Sequence, residues 1–395
     1  MTSPAGIPLP DLIGEQTRAE IFATVLTAGP VSRSQLAERL GLVPSSVSRM
    51  LPPLLEHGYL HETVAAPQGR GRPQRMLHVN PDKHIVVGIK IGPTQISGVV
   101  TDMAANVLAR GEVPIEDCAP HTALTAAARL TLDLLARAPQ GAGPVLGVGV
   151  GVSGHVDSAT GVCRYSALLD WTKVDVAGPL SEATGLMVAV NNDVNTLVVA
   201  EHWFGQGRGA HSLAVVTVGA GVGCGLLLGG SLYSGATGMA GELGHLPMDP
   251  AGPMCGCGRR GCLEALASDR AVLRHLRDAG IDDCTTIADA VGLARGDRSA
   301  AGTTARAAFA EVGAALGRGL AGLCNLLNLE KIIIAGEGAA AYDLFGPAMT
   351  EALEAYAFSE AARDCRVLVD PVQHDLWARG AACLVIREAV RAAIS

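Results

Sequence analysis

Aromatic side chains are scarce in this chain, with 5 Phe, 5 Tyr and 3 Trp among 395 residues. Charge is sparse as well, at 17% of residues against 49% hydrophobic. A large core can therefore be buried, packed mainly from Ala, Val, Leu and Gly as suits a tight α/β body. The length calls for roughly two to three domains. No secretory signal opens the sequence. Of the 10 cysteines only Cys255, Cys257 and Cys262 cluster, and the others lie in apolar surroundings as free thiols commonly do. A reducing, cytoplasmic setting is the expectation.

One stretch, from Gly209 to Gly241, has no Lys, Arg, Asp or Glu. By length alone it could cross a bilayer. Gly219, Gly221, Gly223, Gly225, Gly229 and Gly230 punctuate it, which fits a glycine turn between two buried strands instead. The formal net charge is -8, but residues 18–80 carry seven Arg against four Glu while the remainder is acidic. A small basic module on an acidic body points to nucleic acid as a partner.

Residues 1–17 hold three prolines and no hydrophobic period, and read as a flexible tail. From Arg18 to Ala28, Ile21, Phe22, Val25 and Leu26 share one helical face. Gly29-Pro30 ends that helix, and Ser32 is placed to cap a second one burying Leu36 and Leu40. After the turn Gly41–Pro44, Ser45 is placed to cap a third helix carrying Val47 and Leu51. Pro52-Pro53 should kink or split that helix near Leu51, at a cost of ~3 kcal/mol or more. Strands at 59–64 and 76–79 flank the loop Gln68–Pro73. Three helices and two strands make a winged helix-turn-helix over residues 18–80. Ser45, Ser46, Ser48 and Arg49 on its third helix suit a major groove, and Arg70 and Arg72 in the wing suit a neighbouring minor groove. A winged helix that binds protein instead of DNA stays open.

From His84 the pattern changes to strand, glycine turn, strand, and the same opening recurs at residues 212–228. Strands are expected at Val145–Val152 and Lys331–Ala335, and helices near 121–138 and 193–204. The repeat suggests a duplicated, two-lobed α/β body with a cleft between the lobes. We expect lobes at 84–205 and 206–395, with the C-terminal helix returning to the first.

The densest chemistry lies at Cys255-Gly256-Cys257-Gly258-Arg259-Arg260-Gly261-Cys262, ten residues past His245. Three thiolates and one imidazole complete the tetrahedral set of a closed structural zinc site, and the glycines let so short a loop point its sulfurs inward.

The order of these elements resembles the ROK family of repressors, open reading frames and sugar kinases, from about residue 18 onward. Its most specific segment is Gly241-Glu242-Leu243-Gly244-His245 followed by the cysteine knot and Glu264. The resemblance implies an actin-like, sugar-kinase-like (RNase H-like) body, with zinc on His245, Cys255, Cys257 and Cys262. It implies sugar-hydroxyl contacts from Glu242, His245 and Glu264 and from the pair Asn192-Asp193, where Asp193 matches the general base of the kinases. Carboxylates and an amide around a sugar ring can satisfy its hydroxyls in one orientation. The kinases open with Asp-x-Gly-Gly-Thr, whereas this chain reads Lys90-Ile91-Gly92-Pro93-Thr94, reversing a charge at the metal–nucleotide site. Glu337, between Gly336 and Gly338, adds a carboxylate on the adenosine side of the family pattern.

Two classes of protein follow. One is a sugar-responsive regulator, a repressor of carbohydrate metabolism, that binds operator DNA as a homodimer or dimer of dimers and takes a sugar or sugar phosphate in a degenerate kinase cleft. The other is an ATP-dependent sugar kinase with an added DNA-binding head. Lys90 favours the first and Asp193 the second.

Overall fold

The structure, a computed structural model, describes residues 16–64, 74–296, 299–370 and 375–392. At the N-terminal end come α1 (Gln16–Ala28), β1 (Val31–Ser32), α2 (Arg33–Arg39), α3 (Pro44–Glu56), β2 (Leu60–Val64) and β3 (Arg75–Val79). Ile21, Phe22, Val25 and Leu26 are buried, so the face read from the sequence is the packed one. Ser32 caps α2 in a reciprocal box: its Oγ accepts from the Gln35 amide at 3.3 Å, and its own amide donates to Gln35 Oε1 at 2.9 Å.

Helix α3 corrects two expectations. Ser45 does not cap it: Val43 stands at the cap without a side-chain bond, and Pro44 fills the first turn, where no amide donor is needed. Pro52-Pro53 does not split it either, for the helix runs on to Glu56. The carbonyls deprived of donors belong to Ser48 and Arg49, on the exposed side where water can take them. Val47, Met50, Leu51 and Leu54 hold the opposite side in the core. Strand β1, not foreseen, pairs with β3 and completes a sheet of order β1-β3-β2. Residues 1–15 of the expected tail, and the wing loop with Arg70 and Arg72, lie outside the described residues.

The chain divides into two units, Met1–Gly209 with Asp375–Ser395, and Ala210–His374. In the first, the head is followed by β4 (Ile85–Ile91), β5 (Gln95–Asp102), β6 (Val107–Pro114), α4 (Pro120–Ala136), β7 (Val145–Val152), β8 (His155–Asp157), β9 (Val162–Ser166), β10 (Trp171–Asp175), α5 (Ala177–Thr184), β11 (Val188–Asn192) and α6 (Asp193–Phe204). Its main sheet has the order β11-β7-β4-β5-β6, and β8 to β10 form a small antiparallel sheet.

The second unit holds β12 (Leu213–Val218), β13 (Val222–Leu228), β14 (Ser231–Tyr233), α7 (Leu263–Ala267), α8 (Asp269–Asp278), α9 (Ile287–Gly296), α10 (Ala300–Leu327), β15 (Lys331–Ala335), α11 (Tyr342–Tyr356), α12 (Ala361–Asp364) and β16 (Arg366–Val369). Its sheet runs β14-β13-β12-β15-β16. In each unit an antiparallel meander of three strands is extended by two parallel strands on the side of the first, so the two sheets share one topology. The charge-free stretch contains the hairpin β12–β13 and the short strand β14. Helix α10 is long and apolar enough to cross a membrane by length and composition, but it buries Phe309, Val312, Leu316 and Leu320 in the core of the second unit.

The closing helix α13 (Leu376–Ala392) belongs to the first unit. Ile85, Val87, Ile89 and Ile91 of β4 point into the core shared with α4. Gly88 points the other way and lies against α13, where a Cβ would overlap the Ala378 carbonyl; Gly149 meets Ala381 in the same manner. Glycine at these strand positions lets helix and sheet backbones touch.

Candidate functional site

Asn192 and Asp193 stand where β11 ends and α6 begins. Asn192 is the helix cap, its Oδ1 accepting from the amides of Val194 at 2.9 Å and Asn195 at 3.2 Å. Its Nδ2 donates to the Gly154 carbonyl at 3.0 Å, tying the cap to the loop after β7. Asp193 is buried, and its Oδ1 accepts from the Val194 amide at 2.9 Å. Lys90 lies on the same face of β4 as Gly88, so its side chain leaves the core and reaches α6. Its ammonium forms an ion pair with Asp193, both side chains at most 15% exposed, and lies 5.1 Å from the ring centre of Trp377. The sequence revealed the charge reversal at residue 90 but not this partner, because 103 residues separate the two.

Glu242, His245 and Glu264 belong to the second unit. The segment Gly241–His245 lies along β13: a Cβ on Gly241 would overlap the Cys224 carbonyl, and one on Gly244 the Val222 carbonyl. The cysteine loop closes tightly, with the Cys255 amide donating to Arg259 O at 2.8 Å and the Gly258 amide to Cys255 O at 3.0 Å. His245, Cys255, Cys257 and Cys262 bring one donor atom each to within 4.8 Å of one another, a group able to hold a metal ion. His245 Nδ1 is 3.7 Å from Cys255 Sγ, and Cys257 Sγ is 3.6 Å from Cys262 Sγ. Nε2 of His245 is turned to Glu242, 3.9 Å from its Oε2. Burial, then the neighbouring thiols and Glu264, push the Cys255 thiol up to about 12, which a bound cation would reverse. Glu264 reaches both ways, with Oε1 3.7 Å from Cys255 Sγ and Oε2 accepting from the Val222 amide at 3.3 Å. A Cβ on Gly221 would come within 2.7 Å of that Oε2, so the glycine loop fits around the carboxylate.

On the head, Ser45, Ser48 and Arg49 are exposed on one stretch of α3 and Ser46 is half-buried. Two of the arginines counted as basic surface are already matched: Glu62 accepts from Arg33 Nε at 2.9 Å and from Arg75 Nη1 at 3.1 Å. Sequence spacing does not signal this pairing, since Glu62 stands 29 and 13 residues from its partners.

A winged helix on a body of two sheets of one topology, with a histidine–cysteine cluster in the second, defines the class: a DNA-binding head joined to a sugar-kinase-like α/β body. The pattern of the ROK family matches residues 86–388, and the chain belongs to that family. A second pattern, iron dependent repressor, N-terminal DNA binding domain, matches residues 21–64. Among relatives, the xylose repressor of Caldicellulosiruptor bescii is 26% identical over 394 residues, covering 95% of this chain and 97% of its own. The DNA-binding transcriptional dual regulator NagC of Escherichia coli K12 is 27% identical over 360 residues, 88% and 87%. A solved ROK family transcriptional regulator, a homolog of the E. coli MLC protein, matches in fold with a TM-score of 0.79 at 24% identity, over 96% of this chain and 97% of that one.

Proposed function

We propose that this chain is a sugar-responsive transcriptional repressor, a DNA-binding head fused to a degenerate sugar kinase that serves as its sensor. The observation that carries this reading is the Lys90–Asp193 ion pair. In the kinases of the family an aspartate at the matching position has to accept a proton from the sugar hydroxyl. Here its oxygen is engaged by an ammonium, and that ammonium replaces the acid expected beside the metal–nucleotide. Phosphoryl transfer depends on positioning and electrostatics, and both are altered.

The effector is a sugar or sugar phosphate, with hydroxyls met by Asn192 and Asp193 and by Glu242, His245 and Glu264. Operator DNA is met by Ser45, Ser46, Ser48 and Arg49 in the major groove and by Arg70 and Arg72 in the minor groove. The working form is a homodimer or dimer of dimers in the cytoplasm. One structural zinc per chain is held by His245 Nδ1, Cys255, Cys257 and Cys262. A tetrahedron with zinc–sulfur bonds of about 2.3 Å has sulfur–sulfur edges of about 3.8 Å, close to the 3.6 Å between Cys257 and Cys262. With Nδ1 on the metal, His245 would keep Nε2 to meet a hydroxyl.

The test joins an electrophoretic shift on the DNA upstream of the gene with a thermal-shift panel of D-xylose, D-glucose, N-acetylglucosamine and its 6-phosphate. A coupled kinase assay runs beside them. We expect one sugar to bind without ATP and to change the DNA shift, with negligible turnover. Glu242→Ala weakens that sugar by roughly ten- to a hundredfold. Robust phosphorylation that disappears in Asp193→Asn would install the kinase reading instead.

A further inference from the structure

We propose that Arg208 is a positioning residue that ties the state of the Asn192–Asp193 site to the setting of the DNA-binding head, with α6 as the rod between them. The proposal rests on reading Asn192 and Asp193 as effector contacts. Helix α6 has 12 residues and spans about 18 Å at 1.5 Å per residue. Its first residue is Asp193, paired with Lys90, and its cap is Asn192. From Asp193 to Glu201 every residue is buried. It crosses α13 so closely that a Cβ on Gly380 would come within 2.9 Å of the Thr196 backbone. A buried helix gripped in this way moves as a body when its first turn is displaced.

The far end is equally well held. Glu201, 3% exposed, accepts from the Gln206 amide through Oε2 at 2.8 Å, and its carbonyl accepts from the amides of Gly205 at 3.1 Å and Gly207 at 3.0 Å. The chain is wound back over the last turn of α6, and Arg208 projects from that winding. Its Nε and Nη2 both donate to the Thr27 carbonyl, at 2.9 and 2.7 Å. Thr27 is in the last turn of α1, where carbonyls lack helical partners and the helix dipole is negative. That turn carries no basic residue of its own. Arg208 therefore supplies, from the sensor, a cationic cap on the last turn of the first helix of the head. A ligand hydroxyl at Asn192 or Asp193 competes with the cap and the ion pair at one end of α6 and so shifts the guanidinium at the other.

The experiment is a double-mutant cycle on the full-length protein, read by amide hydrogen exchange in the last turn of α1. Asp193→Asn alone should change exchange there by about fivefold or more, and by much less when Arg208→Gln is already present. Lys90→Met breaks the same ion pair from the other side and must reproduce the effect, which guards against a folding defect peculiar to Asp193→Asn. A merely structural Arg208 would give additive changes. Equal effects of Asp193→Asn in both backgrounds, or none in either, overturn the proposal. Neither sugar nor DNA enters this cycle, so its failure is separate from a failure of the effector reading, which the thermal-shift panel reports.

Discussion

Asp269 opens α8 beside the glycine loop, its amide donating to the Gly219 carbonyl at 2.8 Å. Burial, then the charge of Glu337, push its carboxyl up to about 6 from 3.8. The native state therefore holds this proton more tightly than the unfolded chain does. The associated stability is present below pH 3.8 and is lost as pH rises through about 6. Asp269→Asn should flatten that loss and stabilise the protein at pH 7 by on the order of 1 kcal/mol, allowing for solvent screening at a partly exposed group. Urea unfolding at pH 4, 5, 6 and 7 checks it, and an unchanged slope between pH 4 and 6 would refute the assignment. Glu337 was legible in the sequence as a carboxylate out of place; Asp269 was not, because only folding brings it to the same loop. Two acids beside Gly219 make a poor setting for nucleotide phosphates.

Helix α3 is the element to which we assign operator reading. Arg49→Ala should lower discrimination between operator and random duplex by about 1–3 kcal/mol, with a smaller effect on non-specific binding, as titrations at two salt concentrations would reveal. Equal loss on all sequences would place Arg49 on the phosphate backbone. Elements with strong periodicity or glycine punctuation were readable in advance: α1, the hairpin β4–β5, its counterpart β12–β13, and the knot with His245. What escaped was set by tertiary context. The pair Pro52-Pro53 reads as a break, yet the buried side of α3 keeps it whole. Strand β1 has two residues and exists only because β3 lies beside it. The short strands β8 to β10 lack a length over which alternation can be counted. Lys90 and Asp193 were each singled out, but their pairing depends on which face of β4 is left over once Ile89 and Ile91 take the core.

At the scale of the molecule, the two units differ in what holds them. Among the described residues the histidine–cysteine group that could hold a metal lies in the second, so on the zinc reading Cys257→Ser should remove about one zinc per chain and lower the unfolding transition of the unit Ala210–His374. Calorimetry with metal analysis should find the transition of the first unit little changed; a protein that folds normally without zinc would sink the assignment. The first unit is instead closed by a helix that follows the second unit in sequence. Gly88 and Gly149 of the sheet and Thr196 of α6 are shaped to receive that helix, α13. The strands and α6 that this helix covers are made before the second unit, and the helix itself only after it. A chain interrupted within the second unit would thus leave that face of β4 and β7 bare and α6 without the backbone it packs against.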